Sequence, residues 1–80
     1  MEYNIKYHKS AEKYLNTQSA SIKERILDAC GKLPEGDVTK LKGREGYRLT
    51  IGGFRALFRY LDSTNIEVVS IGPRGDIYKK

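Results

Sequence analysis

The sequence is poor in the features that mark secreted and membrane proteins. Its single cysteine, Cys30, cannot form a disulfide within the chain, a pattern typical of a reducing compartment. No apolar run approaches the roughly 20 residues that span a bilayer. Residues 1–9 lack the apolar block of a signal peptide. We therefore expect a cytoplasmic protein without a membrane partner.

Motifs for metals and cofactors are also missing. No spacing of histidine, cysteine, aspartate and glutamate suggests a metal site. No glycine-rich loop has a phosphate-binding pattern, since Gly52-Gly53 is typical of a turn. The single histidine, His8, lies far along the sequence from most basic residues, which does not favour a catalytic role for it. We expect no metal and no small-molecule cofactor.

The length of 80 residues leaves room for one domain, residues 1–80, with one modest core. The hydrophobic content of 39%, with six tyrosines and two phenylalanines, suits a globular fold and argues against disorder. Domains this small bury only about 60% of the surface that the unfolded chain exposes. We therefore expect marginal stability without a partner.

The net charge of +5 is concentrated in the second half of the chain. Residues 1–39 carry six basic and six acidic side chains, whereas residues 40–80 carry nine basic and four acidic ones. A positive field of this kind attracts phosphate backbones, acidic proteins or anionic membranes. Many small proteins are basic without binding nucleic acid, so charge alone leaves these alternatives open.

The first half of the chain predicts a strand followed by two amphipathic helices. Residues 3–7 alternate apolar and polar side chains, the period of a half-buried strand. Ser10 is the expected N-cap of the first helix, and Ser21 and Glu24 have capping-box spacing for the second. The apolar stripe of the second helix comprises Ile22, Ile26, Ala29 and Leu33. A turn at residues 34–37 is expected to end it, and both helices to cover one face of a sheet.

The second half predicts three strands. Residues 47–51 and 54–60 alternate apolar and polar side chains on either side of Gly52-Gly53, a two-residue hairpin signal. This turn places Tyr47 opposite Phe58 and makes one face apolar. The second face then gathers Arg48, Thr50, Arg55 and Arg59, with Leu57, Leu61, Ile66 and Val68 making it partly apolar.

The last strand is expected at residues 66–71, after a turn at residues 62–65. The predicted order is therefore β-α-α-β-β-β. We expect an α+β fold in which an N-terminal helical hairpin packs on one face of a mainly antiparallel sheet.

In this order and at these spacings, four stretches resemble the RelE branch of the RelE/ParE toxin superfamily. They are residues 40–43, 46–49, 53–59 and 71–78, and residues 8–11 also fit, so the resemblance covers essentially the whole chain. It implies a RelE-like fold and a cognate antitoxin that neutralises the toxin. It also implies cleavage of mRNA in the ribosomal A site.

The resemblance further implies a metal-independent endoribonuclease in which the 2′-hydroxyl of the RNA attacks the adjacent phosphate. Arg55 and Arg74 match phosphate-stabilising arginines, Arg48 stands where a known member has a lysine, and Tyr78 matches a nucleotide-orienting tyrosine. Guanidinium groups suit this task because they bind phosphate oxygens bidentately and stay charged. Further RNA contacts are expected from Lys40, Lys42, Arg44 and Arg59.

Two departures from the family pattern keep alternatives open. Thr50 replaces a second lysine, and the segment between Arg74 and Tyr78 is shorter than in a known member. The general base and acid are not identified, because an arginine with a pKa above 12 is a poor base. The alternatives are a ParE-like inhibitor of DNA gyrase without nuclease activity, or a degenerate toxin that acts with its antitoxin as a transcriptional corepressor.

Overall fold

The computed structural model describes residues 3–73, which form two helices and five strands. In chain order these are β1 (Asn4–Tyr7), α1 (Lys9–Asn16), α2 (Ala20–Gly31), β2 (Asp37–Lys40), β3 (Tyr47–Ile51), β4 (Phe54–Tyr60) and β5 (Asn65–Pro73). The strands form one sheet in the order β1-β5-β4-β3-β2. The predicted α+β class is confirmed, with one strand more than expected. Neither helix in this part of the chain is long and apolar enough to cross a membrane.

The additional strand, β2, lies where the sequence predicts a turn and then a loop. Its four residues include one apolar side chain, Val38, so local alternation does not indicate a strand. The strand forms because it pairs with β3, where Val38 lies opposite Leu49 in an antiparallel ladder. The strand is therefore a product of tertiary contact.

The first strand makes the sheet mixed, because β1 runs parallel to β5 while the other neighbouring pairs are antiparallel. Parallel strands need a long crossover connection, and here both helices lie in the chain between the paired strands. The pairing places Tyr7 beside Val68. It thus brings the N-terminal segment alongside the first half of the last strand.

The β3–β4 hairpin has the predicted register. Tyr47 lies opposite Phe58, and Ile51 lies opposite Phe54. Gly52 adopts a φ of 56°, which a side chain would disfavour, so glycine allows the tight turn.

Both helices begin before their expected caps. The N-cap of α1 is His8, whose Nδ1 accepts the backbone N–H of Ser10 at 3.1 Å. The hydroxyl of Ser10 instead donates to the carbonyl of Val69 at 2.8 Å, a tertiary partner that local sequence does not reveal. The N-cap of α2 is Ser19, two residues before the expected Ser21. Both cap predictions are therefore wrong, although both helices are present.

The core lies between the helices and one face of the sheet. Its fully or nearly fully buried members are Ala11, Leu15, Ile26, Cys30 and Leu33 from the helical segment and Leu49, Ile51, Ala56, Phe58, Ile66, Val68 and Ile71 from the sheet. Each buried large apolar side chain contributes about 1.5–3 kcal/mol. The predicted helical hairpin on one face is confirmed.

A β-bulge at Val69 decides which side chains of β5 face the core. At this point β5 has one residue more than β4, and Val69 has no partner across the sheet. Ile66 and Val68 before the bulge and Ile71 after it are therefore all buried. Glu67 lies on the opposite face by alternation. The expectation that Ile66 and Val68 line the second face is wrong, because the bulge resets the alternation.

Candidate nucleic-acid interface

Three arginines share the face of the sheet opposite the helices, which we call the arginine face. Arg48, Arg55 and Arg59 lie on it because a strand neighbour of each is buried on the helix side; these neighbours are Leu49, Ala56 and Phe58. Leu57 pairs directly with Arg48, so Arg55 and Arg59 are both diagonal neighbours of Arg48. Diagonal neighbours across a sheet are about 7–8 Å apart. The structure thus brings these three predicted residues together.

Arg55 is the most buried of the three, with 4% of its surface exposed. It lies between Thr50 on β3 and Gly72 on β5. A guanidinium stays charged when buried, and a preorganised donor in a water-poor site stabilises developing negative charge strongly. Arg55 reaches a concavity of about 310 Å³, whose lining comprises Arg44, Arg55, Leu57, Ser70, Ile71, Gly72 and Pro73.

A second, larger concavity of about 460 Å³ adjoins the first. Its lining comprises His8, Leu41, Arg44, Glu45, Gly46, Leu57, Phe58, Arg59, Glu67, Val69 and Ser70. Arg44, Leu57 and Ser70 line both concavities. We call the two together the groove. The bulge at Val69 lies in its wall.

The connection between β2 and β3 carries Arg44 to the groove. Gly46, at the end of this loop, has a φ of 114°, and a Cβ there would lie 3.3 Å from the carbonyl oxygen of Phe58. Glycine therefore allows the loop to fold close against β4. Arg44, predicted as an RNA contact, is placed where it faces the same groove as Arg55 and Arg59.

Glu67 forms an ion pair with Arg59 inside the groove. Arg59 Nε donates to Glu67 Oε1 at 3.0 Å, and its Nη2 lies 3.0 Å from the same oxygen. Sequence reasoning assigned Glu67 no role, because its place on the arginine face depends on the bulge in β5. The signal that the sequence does contain is an acidic residue between two apolar ones, Ile66 and Val68.

His8 also lines the groove, although it lies far from the arginines in sequence. The parallel ladder of β1 and β5 continues past Tyr7, and the backbone N–H of His8 donates to the carbonyl of Val68 at 2.9 Å. The expectation that sequence distance separates His8 from the basic cluster is therefore wrong. His8 and Arg59 line the same concavity.

Five predicted residues are not placed in the groove lining, and one of them is Arg48, which lies on the arginine face but lines neither concavity. Lys40 lies opposite Tyr47 on the helix side of the sheet and shares a separate concavity of about 300 Å³ with Arg59. Lys42 is exposed in the β2–β3 loop. Arg74 and Tyr78 lie outside the described residues. Within residues 3–73, no three histidine, cysteine, aspartate or glutamate side chains gather where they could hold a metal ion.

The arrangement suits binding of a phosphate chain and stabilisation of charge on one phosphate. Arg55 supplies a buried donor, and Arg44 and Arg59 supply more exposed positive charge along the same surface. The described part of the groove also contains proton acceptors, His8 and Glu67 among them. Phosphate binding and proton transfer could thus occur in one place.

Comparison with known proteins agrees with this architecture. Residues 5–78 match the family model of the ParE toxin of the type II toxin–antitoxin system parDE. The structure is similar to a chain of the archaeal RelE–RelB complex from Pyrococcus horikoshii, with a TM-score of 0.74 and 28% identity over 94% of this chain and 98% of that one. No curated protein sequence matches the chain.

Two further structures share the fold at lower identity. A chain of the toxin–antitoxin complex RelBE2 from Mycobacterium tuberculosis has a TM-score of 0.78 and 18% identity over 92% of this chain and 100% of that one. The isolated Escherichia coli RelE toxin has a TM-score of 0.66 and 19% identity over 95% and 90%. Since the family match spans nearly the whole sequence, the chain belongs to the ParE toxin family of type II toxin–antitoxin systems, within the RelE/ParE superfamily.

Proposed function

We propose that this toxin is a ribosome-dependent endonuclease that cuts mRNA and thereby inhibits translation. The observation that supports this most is the groove on the arginine face, where Arg44, Arg55 and Arg59 line adjoining concavities. Guanidinium forks match phosphate oxygens, so such a groove suits a single RNA strand better than an uncharged ligand. Arg48 lies diagonal to two of these arginines and adds to the field.

The proposed reaction needs no metal, because RNA carries its own nucleophile. The 2′-hydroxyl attacks the adjacent phosphorus, the bond to the 5′-oxygen breaks, and a cyclic phosphate and a 5′-hydroxyl result. Negative charge develops on the phosphate oxygens, where Arg55 would stabilise it and Arg48 would assist. Arg74 as a second phosphate ligand and Tyr78 as the nucleotide-orienting group are proposed from the family resemblance. Lys40 and Lys42 are proposed as outer RNA contacts.

The proposed protein partner is a cognate antitoxin, and the proposed place of action is the cytoplasm, where ribosomes are found. The Mycobacterium tuberculosis relative is a toxin–antitoxin complex. An acidic or amphipathic antitoxin segment would complement the positive groove and block RNA entry. Binding of this kind would also stabilise so small a domain by mass action.

A second candidate function is inhibition of DNA gyrase by binding, without hydrolysis. The match to the ParE family model favours it. The third alternative, a corepressor that lost its toxicity, rests on Thr50 in place of a family lysine. These three functions differ in growth arrest and in what happens to mRNA, which makes them separable.

The test is to induce this chain alone in bacteria and to follow growth, transcript integrity and the 5′ ends of translated mRNAs. We expect growth arrest and cuts within codons that disappear when translation is blocked. Growth arrest with intact transcripts and a DNA-damage response would support the gyrase function instead. Normal growth, together with operator binding by the toxin–antitoxin complex, would support the corepressor.

A further inference from the structure

The groove has arginines for the phosphate, but an arginine cannot take the proton of an attacking hydroxyl because it stays protonated. Within residues 3–73, the imidazole and carboxylates that line the groove belong to His8, Glu45 and Glu67. Glu67 is engaged by Arg59 at 3.0 Å. Glu45 and His8 are both exposed, and His8 is held in place by hydrogen bonds of its backbone and its ring. His8 is therefore the candidate proton acceptor in this part of the groove.

Hydrogen bonds of both the backbone and the ring hold His8 in place. The backbone N–H donates to the carbonyl of Val68 at 2.9 Å, which keeps the residue beside β5. Nδ1 of the ring lies 3.3 Å from the hydroxyl oxygen of Ser10. That hydroxyl donates to the carbonyl of Val69 at 2.8 Å, so its oxygen can still accept a hydrogen bond from Nδ1–H. A chain of polar groups thus connects the imidazole to the bulge.

This geometry supports two neutral tautomers of the His8 ring. In one, Nδ1 accepts the backbone N–H of Ser10 at 3.1 Å and Nε2 carries the proton. In the other, Nδ1–H donates to the Ser10 hydroxyl and Nε2 has a free electron pair. A hydrogen bond at one ring nitrogen commonly decides the role of the other. Only the second tautomer leaves Nε2 able to accept a proton from a substrate, and in it the backbone N–H of Ser10 no longer has Nδ1 as its acceptor.

We propose that Nε2 of His8 is the general base of RNA cleavage, an inference that rests on the proposed function. The 2′-hydroxyl gives its proton to Nε2 while its oxygen forms a bond to phosphorus and the bond from phosphorus to the 5′-oxygen breaks. The 5′-oxygen takes a proton from water, and the imidazolium returns its proton to solvent. Histidine suits this step because it ordinarily changes charge between about pH 5 and 8.

Charged groups surround His8 on every neighbouring element. They are Lys6 on β1, Lys9 and Glu12 on α1, Glu67 on β5, Arg59 on β4, and Arg44 and Glu45 in the β2–β3 loop. The Glu67 carboxylate lines the same concavity, where it is paired with Arg59. Since these groups all influence the reaction, the test changes His8 alone.

The informative variant is His8→Asn, which keeps an N-cap on α1 but cannot accept the proton. We expect single-turnover cleavage of mRNA on programmed ribosomes to slow about 100-fold or more, with unchanged affinity for the ribosome. The pH profile of wild-type cleavage should contain a step that is absent from the profile of the variant.

The matched control is Ser19→Ala, which removes the N-cap of α2, a hydroxyl that accepts the backbone N–H of Ile22 at 3.4 Å. Ser19 does not line the groove, so we expect wild-type cleavage from this variant. Cleavage by His8→Asn near the wild-type rate would overturn the proposal. So would a slower rate that keeps the wild-type dependence on pH. If the wild type itself does not cut ribosome-bound mRNA, the proposed function fails, and the role of His8 fails with it.

Discussion

Arg59 and Glu67 hold each other across β4 and β5, with two nitrogens of one guanidinium 3.0 Å from the same carboxylate oxygen. The Glu67 side chain is 19% exposed and that of Arg59 is 57% exposed, so the pair joins a shielded anion to a more accessible cation. A negative charge therefore lies inside a groove that we propose for RNA. It keeps the guanidinium oriented while weakening the attraction for phosphate.

Removing that charge should strengthen RNA binding. We expect Glu67→Gln to bind a non-cleavable single-stranded RNA analogue more tightly. The slope of log affinity against log salt should steepen by up to about 0.7, the value for one phosphate contact on a single strand. Affinity titrations at several KCl concentrations measure both. The control is Glu24→Gln on the exposed side of α2, which makes the same change in net charge. Equal effects of the two variants would show that the position of Glu67 is unimportant.

Arg55 should be needed for its fork-shaped side chain as well as for its charge. We expect Arg55→Ala to lose about 100-fold or more in cleavage rate and to abolish growth arrest, because one preorganised donor is removed. Arg55→Lys should recover only part of the rate, since an ammonium binds phosphate as a point charge. Arg25→Ala, at an exposed position of α2, is the control and should remain toxic. Growth arrest on induction of Arg55→Ala would refute the role of Arg55 in stabilising charge on the phosphate.

Gly46 should tolerate alanine poorly, whereas Gly53 should tolerate it well. Gly46 has a φ of 114°, which side chains disfavour, and a Cβ there would lie 3.3 Å from the carbonyl oxygen of Phe58. A Cβ at Gly53 would have no atom within 4 Å. We expect Gly46→Ala to lower the free energy of unfolding by about 1–3 kcal/mol. Urea denaturation of both variants measures this difference. Equal stability would mean that the loop carrying Arg44 does not need its close approach to β4.

The pair formed by half-buried Tyr7 and buried Cys30 should make the protein sensitive to alkali. Burial raises the pKa of the Cys30 thiol from 9.0 to about 11, although the hydrogen bond with Tyr7 opposes this. Burial, with a further contribution from Cys30, raises the pKa of Tyr7 from 10.0 to about 12. The folded state thus holds both protons more tightly than the unfolded chain does. Their contribution to stability is complete below pH 9 and is lost as the pH rises toward 12.

Urea denaturation from pH 8 upward tests this dependence. We expect the free energy of unfolding of the wild type to fall more steeply above pH 9 than that of Cys30→Ala, which keeps one of the two groups. Parallel curves for the two proteins would contradict the raised pKa. The folded thiol should also react with a disulfide reagent at pH 8 only as fast as the protein opens, because Cys30 is fully buried.

The expectations that the structure confirms are those with local determinants. The β3–β4 hairpin follows from side-chain alternation and Gly52-Gly53, and its register places Arg48, Arg55 and Arg59 on one face. Both helices were predictable from amphipathic spacing, but their caps were not. For the first helix, the reason is that Ser10 has a tertiary partner, the carbonyl of Val69, 59 positions away.

The strand β2 and the lining of the groove show the limit of local patterns. Val38 is the one apolar residue of β2, so this strand exists through its pairing with β3. Glu67 reaches the arginine face because a bulge resets the alternation of β5. A bulge of this kind has no marker in the local sequence here, since Val69 is an ordinary strand residue.

The sequence by itself determined the α+β class, the two helices, the central hairpin and the arginine face. The patterns behind them act over a few residues and reflect the periods of helices and strands. Only the tertiary structure decided that His8 and Glu67 join the arginines in one groove. Parallel pairing of β1 with β5 and the bulge at Val69 bring these side chains together. Such contacts depend on packing of the whole chain, because no local period links residues so far apart.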